Sequence, residues 1–338
     1  MKILVTGATG FIGREIIAEL EKNNFDVIQL RRRAKTSREK KLAKNKQILI
    51  ADIANSINST EAEKIERVDA VIHSAGLAHQ FGETKREEFE RVNIAGTKNV
   101  CNLAVELKAK QFILISSTAV YGIKKSSKNK NKTDQSVFVF DENSECLPQT
   151  PYAQSKLEAE KVCRKVCEDN KIPLTILRLA PVIGEANVGN VARLIELIDR
   201  RRFVWIGKGE NLKSLIYKKD VAKACLKILL EKINGTEIFN LAAKPVLMKE
   251  FVGKIAARLK RKILPIGASP SVLTFIFQMN SKLFGIKKIE KLSQTVEKWL
   301  SDDIYSAEKI KVKYNFTPET SIEKAIERQI AWYKQNKV

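Results

Sequence analysis

Through the first two-thirds of the chain, short β-branched runs alternate with amphipathic helical stretches. The runs are "KILVT", "DVIQLR", "QILIA", "AVIHSA", "QFILISS" and "LTILRL". That rhythm predicts an α/β fold with a parallel, doubly wound sheet and helices on both faces. A later run, "EIFNLAA" (237 to 243), is expected to return to the same sheet. By contrast, "VGNVARLIELIDRR" (188 to 201) reads as a helix outside the alternation, and the chain after residue 245 reads as mostly helical. These two parts predict a smaller lobe beside the sheet, and 338 residues suffice for both. Ligands of such sheets bind beyond the carboxyl ends of the strands, so chemistry is expected in the cleft between sheet and lobe.

The first run leads through "TGATGFIG" straight into the helical pattern "FIGREIIAELEKN". A tight turn requires Gly7, close approach of a pyrophosphate to the backbone requires Gly10, and packing of helix on sheet requires Gly13. The helix N-terminus then attracts the phosphate charge. A Rossmann-type dinucleotide site follows from this placement between strand and helix. Such sites usually carry an acid at the end of the second strand to hold the ribose hydroxyls. Here that strand ends in Arg31, Arg32 and Arg33, while Asp26 opens it at the far end. Guanidinium groups suit a 2′-phosphate, which favours NADP over NAD; the alternative is that they face solvent and either cofactor binds. Asp52, just after the third strand, is placed to accept from an adenine amino group or to serve as a turn aspartate.

The net charge of +22 is concentrated in "RRRAKTSREKKLAKNK" (31 to 46) and "KKSSKNKNK" (124 to 132). Neither run holds an aromatic for base stacking, so a lysine-rich solvated surface is expected, with no nucleic-acid partner. Residues 124 to 136 read as a flexible surface insertion. No run of about 18 apolar residues exists and the first hydrophobic run ends in a turn, so neither a spanning helix nor a signal peptide is expected. The five scattered cysteines read as reduced structural thiols of a cytoplasmic protein; Cys163 and Cys167 lie i,i+4 without partners at metal spacing, so no metal is expected.

"TPYAQSK" (150 to 156) sets a tyrosine and a lysine four apart, behind a capping threonine and a proline suited to the first helical position. Tyr152 and Lys156 should share one helix face. Alone, the pair reads more simply as surface residues than as chemistry. In order along the chain, however, stand "TGATGFIG", "ADI" (51 to 53), "HSAG" (73 to 76), "RVNIAGTKNV" (91 to 100), "LISSTAVYG" (114 to 122) and "PYAQSK". With these the chain resembles the extended short-chain dehydrogenase/reductases, and within them the NAD-dependent epimerase/dehydratase group acting on nucleotide sugars. The resemblance extends over nearly the whole chain through "KSLIYKKDVAKA" (213 to 224) and "YNFTPETSIEKAIERQIAWYK" (314 to 334).

The resemblance implies an NAD(P)-binding Rossmann domain over 1–178 and 210–243, and a substrate-binding lobe over 179–209 and 244–338. It implies cofactor contacts at Gly7, Thr9, Gly10, Phe11, Ile12, Gly13, Asp52, Ile53, Ala75 and Gly76, together with Arg31 and Arg32. Tyr152 would be the acid/base on a sugar oxygen, and Lys156 would bind the nicotinamide ribose and lower the tyrosine pKa. Ser117, rather than Ser116, would bond the reacting oxygen. His73 would end the fourth strand beside the cofactor without acting as base, and His79 reads as a loop residue. Asn93 would lie near the cofactor or be structural. Lys213 would meet the nucleotide phosphates, and Asn190 would contact the base or face solvent. A homodimer through helices near 87 to 107 and 152 to 170 is also implied.

Departures from the group's pattern narrow the chemistry. Thr118 and Ala119 stand where its dehydratases carry an acidic pair, and Pro181 stands where galactose-type epimerases carry an asparagine. The resulting expectation is hydride transfer at C4 of a nucleotide-activated sugar, as 4-ketoreductase or 4-epimerase, in polysaccharide or cell-surface glycan biosynthesis. A second enzyme reading places a steroid-like or polyprenyl-linked substrate at a membrane surface, motivated by the apolar "SVLTFIFQMNSKLFGI" (271 to 286), which packing inside the lobe explains more simply. A third reading is a noncatalytic Rossmann-fold protein that senses redox state or holds RNA. Such a protein need not keep the hydroxyl, tyrosine and lysine together.

Overall fold

The computed structural model describes residues 1–32, 48–55, 57, 65–78, 85–123, 137–231, 233–263, 267–268 and 298–336. Arg33, the rest of the first basic run up to 46, His79, the insertion at 124–136 and the apolar stretch 271–286 lie outside the described residues.

Seven strands form one parallel sheet. They are β1 (Lys2–Thr6), β2 (Asp26–Arg31), β3 (Ile48–Ile50), β4 (Ala70–His73), β5 (Phe112–Ser117), β6 (Leu174–Leu179) and a last strand, Thr236–Leu241. Their order across the sheet is Thr236–Leu241, β6, β5, β4, β1, β2, β3. The chain builds outward from β1 through β2 and β3, then returns to build β4, β5 and β6 on the other side. The direction therefore switches between β1 and β4, where Thr6 pairs with His73, and a crevice opens at such a switch point.

Alternate residues of each strand feed two cores, as a period of two demands. Ile3 and Val5 join Ile16, Leu20, Val221 and Ile228, which come from the helices Gly13–Lys22 and Lys218–Leu229. Leu4 joins Val100, Leu103 and Cys163 on the other face, beneath the helices Gly96–Glu106 and Pro151–Asp169. A third cluster binds the helices Asn190–Asp199, Met248–Leu259 and Ile322–Gln335 through Ile195, Phe251, Ile255 and Ile326. This cluster is the smaller helical lobe.

One part of the sequence division differs from the structure. Residues 304–316, assigned to the lobe, pack on the sheet: Tyr305, Ile310, Tyr314 and Phe316 belong to the first core. The helix Glu308–Tyr314 covers the edge strand Thr236–Leu241, with the Tyr314 and Phe239 ring centroids 5.2 Å apart. Lys309 and Lys313 both pair with Glu237 of that strand. An edge strand must be shielded from pairing with other chains, and a carboxylate there recruits this basic helix.

Candidate active site

At the end of β1 the backbone turns at Gly7 with φ +68°, in the left-handed region that favours glycine. A Cβ at Gly7 would stand 2.7 Å from the Ala75 nitrogen, and one at Gly13 only 2.1 Å from the Gly7 carbonyl oxygen. The Gly10 N–H donates to the Gly7 carbonyl at 2.8 Å and closes the turn. Thr9 and Gly10 are exposed, and Phe11 and Ile12 are half-buried. The helix Gly13–Lys22 starts at Ile12 with no side chain capping it, and the Arg14 and Glu15 N–H groups turn back to the Gly10 and Ile12 carbonyls. A glycine-opened cradle leading to an uncapped helix start fits a dinucleotide pyrophosphate in both shape and charge. On the far wall of the crevice, the Ser74 hydroxyl donates to the Thr6 carbonyl at 2.8 Å and the Ala75 N–H to the Thr6 hydroxyl at 3.2 Å. Gly76 lies against Asn93, whose Oδ1 would be 3.0 Å from an added Cβ.

The Arg31 guanidinium folds back along β2, with Nε 3.1 Å from Gln29 Oε1, whereas Arg32 is exposed. Asp52 Oδ1 accepts from the Ala54 N–H at 3.1 Å, so the aspartate shapes its own turn. Ile53 is buried against Gly96, and its carbonyl accepts from Asn99.

The helix Pro151–Asp169 begins as its sequence dictates, with the Thr150 hydroxyl accepting from the Ala153 N–H at 3.2 Å and proline in the first turn. Its first two turns present Tyr152 and Lys156 to the end of β5. The Ser117 hydroxyl neighbours the Tyr152 phenol, and Lys156 Nζ donates to the Ile115 carbonyl at 2.6 Å. Ser116 points to the other face of the strand and donates to Glu160. Burial pulls the Lys156 ammonium down to about 8 against the opposing pull of Glu160 and Cys163. The lysine is expected to lower the tyrosine pKa; instead burial raises the Tyr152 phenol, and the neighbouring Ser117 hydroxyl only partly offsets this. Lys156 reaches past the phenol to a backbone carbonyl, which accounts for the difference.

His73 is buried at the end of β4, bonded on either side to Thr6 and Thr97. Burial and the nearby Lys156 charge push its pKa down to about 3. Asn93 lies in a π-helical turn, Glu90–Ala95, and bonds Leu77 N, Leu77 O and the Ser155 hydroxyl. Ser155 in turn donates to the Tyr152 carbonyl at 2.8 Å, so Asn93 ties the loop after β4 to the tyrosine-bearing helix.

Comparison with known proteins follows the same direction. The sequence profile described as "NAD dependent epimerase/dehydratase family" matches residues 3–242. The chain belongs to this NAD-dependent epimerase/dehydratase family. Curated relatives include the dTDP-D-glucose 4,6-dehydratase of Mus musculus, 25% identical over 346 residues and covering 99% of this chain and 89% of the relative. Another is the N-acetyl-alpha-D-glucosaminyl-diphospho-ditrans,octacis-undecaprenol 4-epimerase of Escherichia coli O157:H7, 27% identical over 322 residues, with 91% and 88% covered. Among solved structures, UDP-glucuronic acid 4-epimerase from Bacillus cereus in complex with NAD superposes with a TM-score of 0.73 at 20% identity, covering 99% of both chains. That likeness is one of fold.

The family's substrate side is less legible in this chain. Lys213 Nζ is paired with Asp303 at 2.7 Å and donates to the Lys298 carbonyl at 2.8 Å, so a sugar-nucleotide phosphate would compete with an ion pair already made. Asn190 is exposed at the first position of its helix. The buried Asn187 shapes the approach to it, donating to the Val182 carbonyl and accepting from the Gly189 N–H, both at 2.7 Å. Sequence reasoning passed over Asn187, Ser155 and Glu160; only Glu160 left a signal, an acid one turn beyond Lys156 on a helix face. It also passed over Cys101, whose sulfur meets those of Cys163 and Cys167 within 4.8 Å in a buried, apolar setting. Among the described residues, no helix is long and apolar enough to cross a membrane.

Proposed function

We propose that this family member moves hydride at C4 of a nucleotide-activated sugar, and that its net reaction is NADPH-dependent reduction of a 4-keto sugar in glycan biosynthesis. The observation that carries the reading is the convergence of the Ser117 hydroxyl, the Tyr152 phenol and the Lys156 ammonium at the carboxyl end of β5. That end of the sheet also holds the glycine cradle. A nicotinamide dinucleotide, when bound, supplies the hydride. Gly7, Gly10 and Gly13 would hold its pyrophosphate, and Lys156 its nicotinamide ribose.

Proton handling falls to Tyr152. Its phenol, raised by burial, is protonated at neutral pH and can give its proton to the oxygen formed when a C4 ketone is reduced. Epimerisation must begin the other way, with the same oxygen as a base on the C4 hydroxyl, and burial opposes that start. Ser117, beside Tyr152, places a second hydroxyl for the same substrate oxygen. Dehydration lacks its acid and base: Thr118 is buried and donates to the Leu179 carbonyl at 3.2 Å, and Ala119 has no acidic group to offer.

Cofactor preference tests the direction of the reaction. With Arg31 folded onto Gln29, the 2′-phosphate reading rests mainly on exposed Arg32. One charge-assisted donor is worth roughly 1.5 to 3 kcal/mol, so NADPH should bind at least about tenfold more tightly than NADH. Arg32→Ala should erase most of that difference and Arg31→Ala less of it. Titration of both cofactors into the three proteins decides the matter. Equal affinities, unmoved by either substitution, would favour a 4-epimerase.

A second reading has an observation of its own: the Escherichia coli relative is named for a sugar carried on undecaprenyl diphosphate. Assays with UDP- and TDP-linked 4-keto sugars, the parent sugar nucleotides and an undecaprenyl-diphosphate sugar separate the readings. Consumption of NADPH with a soluble 4-keto sugar nucleotide supports the first. Turnover of the lipid-linked sugar alone replaces it. We further propose a cytoplasmic homodimer through the adjacent helices Gly96–Glu106 and Pro151–Asp169.

A further inference from the structure

Beneath the Tyr152 and Lys156 face lies an ionic cluster that the reaction as proposed does not use. Arg178 of β6 and Glu160 of the helix Pro151–Asp169 form a pair with side chains only 5% and 4% exposed. Arg178 Nη2 is 2.7 Å from Glu160 Oε2, and Nε lies 3.2 Å from both carboxylate oxygens. Arg178 Nη1 donates to the Tyr121 hydroxyl at 3.1 Å, and Tyr121 donates onward to Asn240 Oδ1 at 2.7 Å. On its other side the carboxylate accepts from Ser116, the neighbour of Ser117. Removing two charges from water costs several kcal/mol per ion, and an apolar pair of similar volume often serves stability as well. The placement is what distinguishes this pair. Glu160 stands four residues after Lys156, one turn along the same helix, and it is clamped to the two strands whose ends meet at the site.

We propose that Glu160 is a positioning residue for Lys156: its carboxylate, fixed by Arg178 and Ser116, keeps the ammonium charged and seated at the end of β5. The inference rests on the role given to Lys156 above. The other groups around the lysine leave this part to Glu160. On its own helix, Tyr152 and Cys163 are both pushed up by burial and so stay neutral. From β4 comes His73, held neutral with its pKa near 3. From β5 come the Ile115 carbonyl and the Ser116 and Ser117 hydroxyls, which do not ionise. From the helix Gly96–Glu106 comes Cys101, which burial and its thiol neighbours also keep neutral. Arg178, from β6, is spent on Glu160 and Tyr121. Glu160 is the larger of the two pulls that oppose the desolvation of Lys156, ahead of Cys163.

The test reads Lys156 directly. Competitive acetylation across pH, quantified on the Lys156 peptide by mass spectrometry, should give a midpoint near 8 in the native chain. In Glu160→Gln the midpoint should fall by about one pH unit, and in Glu160→Asp it should stay within a few tenths. Glu160→Gln leaves Arg178 buried without its partner and can fail to fold. Glu160→Gln combined with Arg178→Met removes both charges and should give a smaller downward shift in a stable protein, because losing the Arg178 cation offsets part of it. A midpoint unchanged in whichever of these variants folds would overturn the proposal. NADH and NADPH affinities measured from pH 6 to 9 keep the two readings apart. Failure to bind either cofactor at any pH would defeat the proposed function and leave the labelling result standing. Binding whose high-pH loss moves down with the Lys156 midpoint supports both.

Discussion

Tyr152→Phe is expected to leave the fold and cofactor affinity nearly intact and to lower turnover by about 10²- to 10⁴-fold. The ring stays because its packing does not need the hydroxyl: Phe89 meets it edge to face with centroids 6.1 Å apart. The substitution deletes the phenol oxygen beside Ser117 and with it the proton source at the carboxyl end of β5. Lys156 keeps its bond to the Ile115 carbonyl, and the glycine cradle is two strands away, so the loss should appear in kcat with little change in cofactor affinity. Single-turnover reduction of a 4-keto sugar nucleotide by prebound NADPH, compared with the native chain, isolates the chemical step. Turnover within a factor of a few of native would remove Tyr152 from the chemistry. A variant that loses cofactor affinity instead would make it a structural residue of the cleft.

The sheet was legible because its strands are short, apolar on both faces and separated by amphipathic helices, so all seven β-branched runs became its seven strands. The glycine cradle was legible because only glycine meets its backbone requirement, and "TPYAQSK" because capping chemistry is local. What the sequence hid depends on distance along the chain. The helix Glu308–Tyr314 was assigned to the lobe because nothing within it names its partner; Glu237, some 70 residues earlier, draws its lysines onto the sheet edge. Lys213 reads as a phosphate ligand, and what its own segment does not display is the competing carboxylate of Asp303, 90 residues later. The pKa of Tyr152 was misjudged for a related reason. A lysine four residues on reads as a nearby charge, but its side chain extends to Ile115, and burial, which a sequence does not display, sets the direction.

The polar row behind the site predicts an acid-sensitive fold. The Thr97 hydroxyl donates to the Asn93 carbonyl at 2.6 Å, so its oxygen is left to accept from His73 Nε2 at 3.0 Å. The network therefore assigns the proton to Nε2 and makes Nδ1 the acceptor for the Thr6 hydroxyl at 2.6 Å. Neutral His73 is satisfied on both nitrogens. A second proton on Nδ1 would confront the Thr6 hydroxyl and place a charge in the core near Lys156. The folded chain accordingly resists protonation down to about 3, whereas an ordinary histidine takes its proton near 6.5. Between those values the unfolded chain binds more protons than the folded one, so stability falls as pH falls through the window and is flat above it. At about 1.4 kcal/mol per pH unit, the loss from this one residue should reach about 3 kcal/mol at pH 4 relative to pH 7. His73→Gln, which cannot ionise, should remove that part of the loss while the carboxylates contribute equally to both proteins. Urea unfolding of the two at pH 7, 5.5 and 4 gives the difference in slope. Parallel pH profiles would mean that His73 already carries its proton in the folded chain, and the neutral, relay-held imidazole would have to be abandoned.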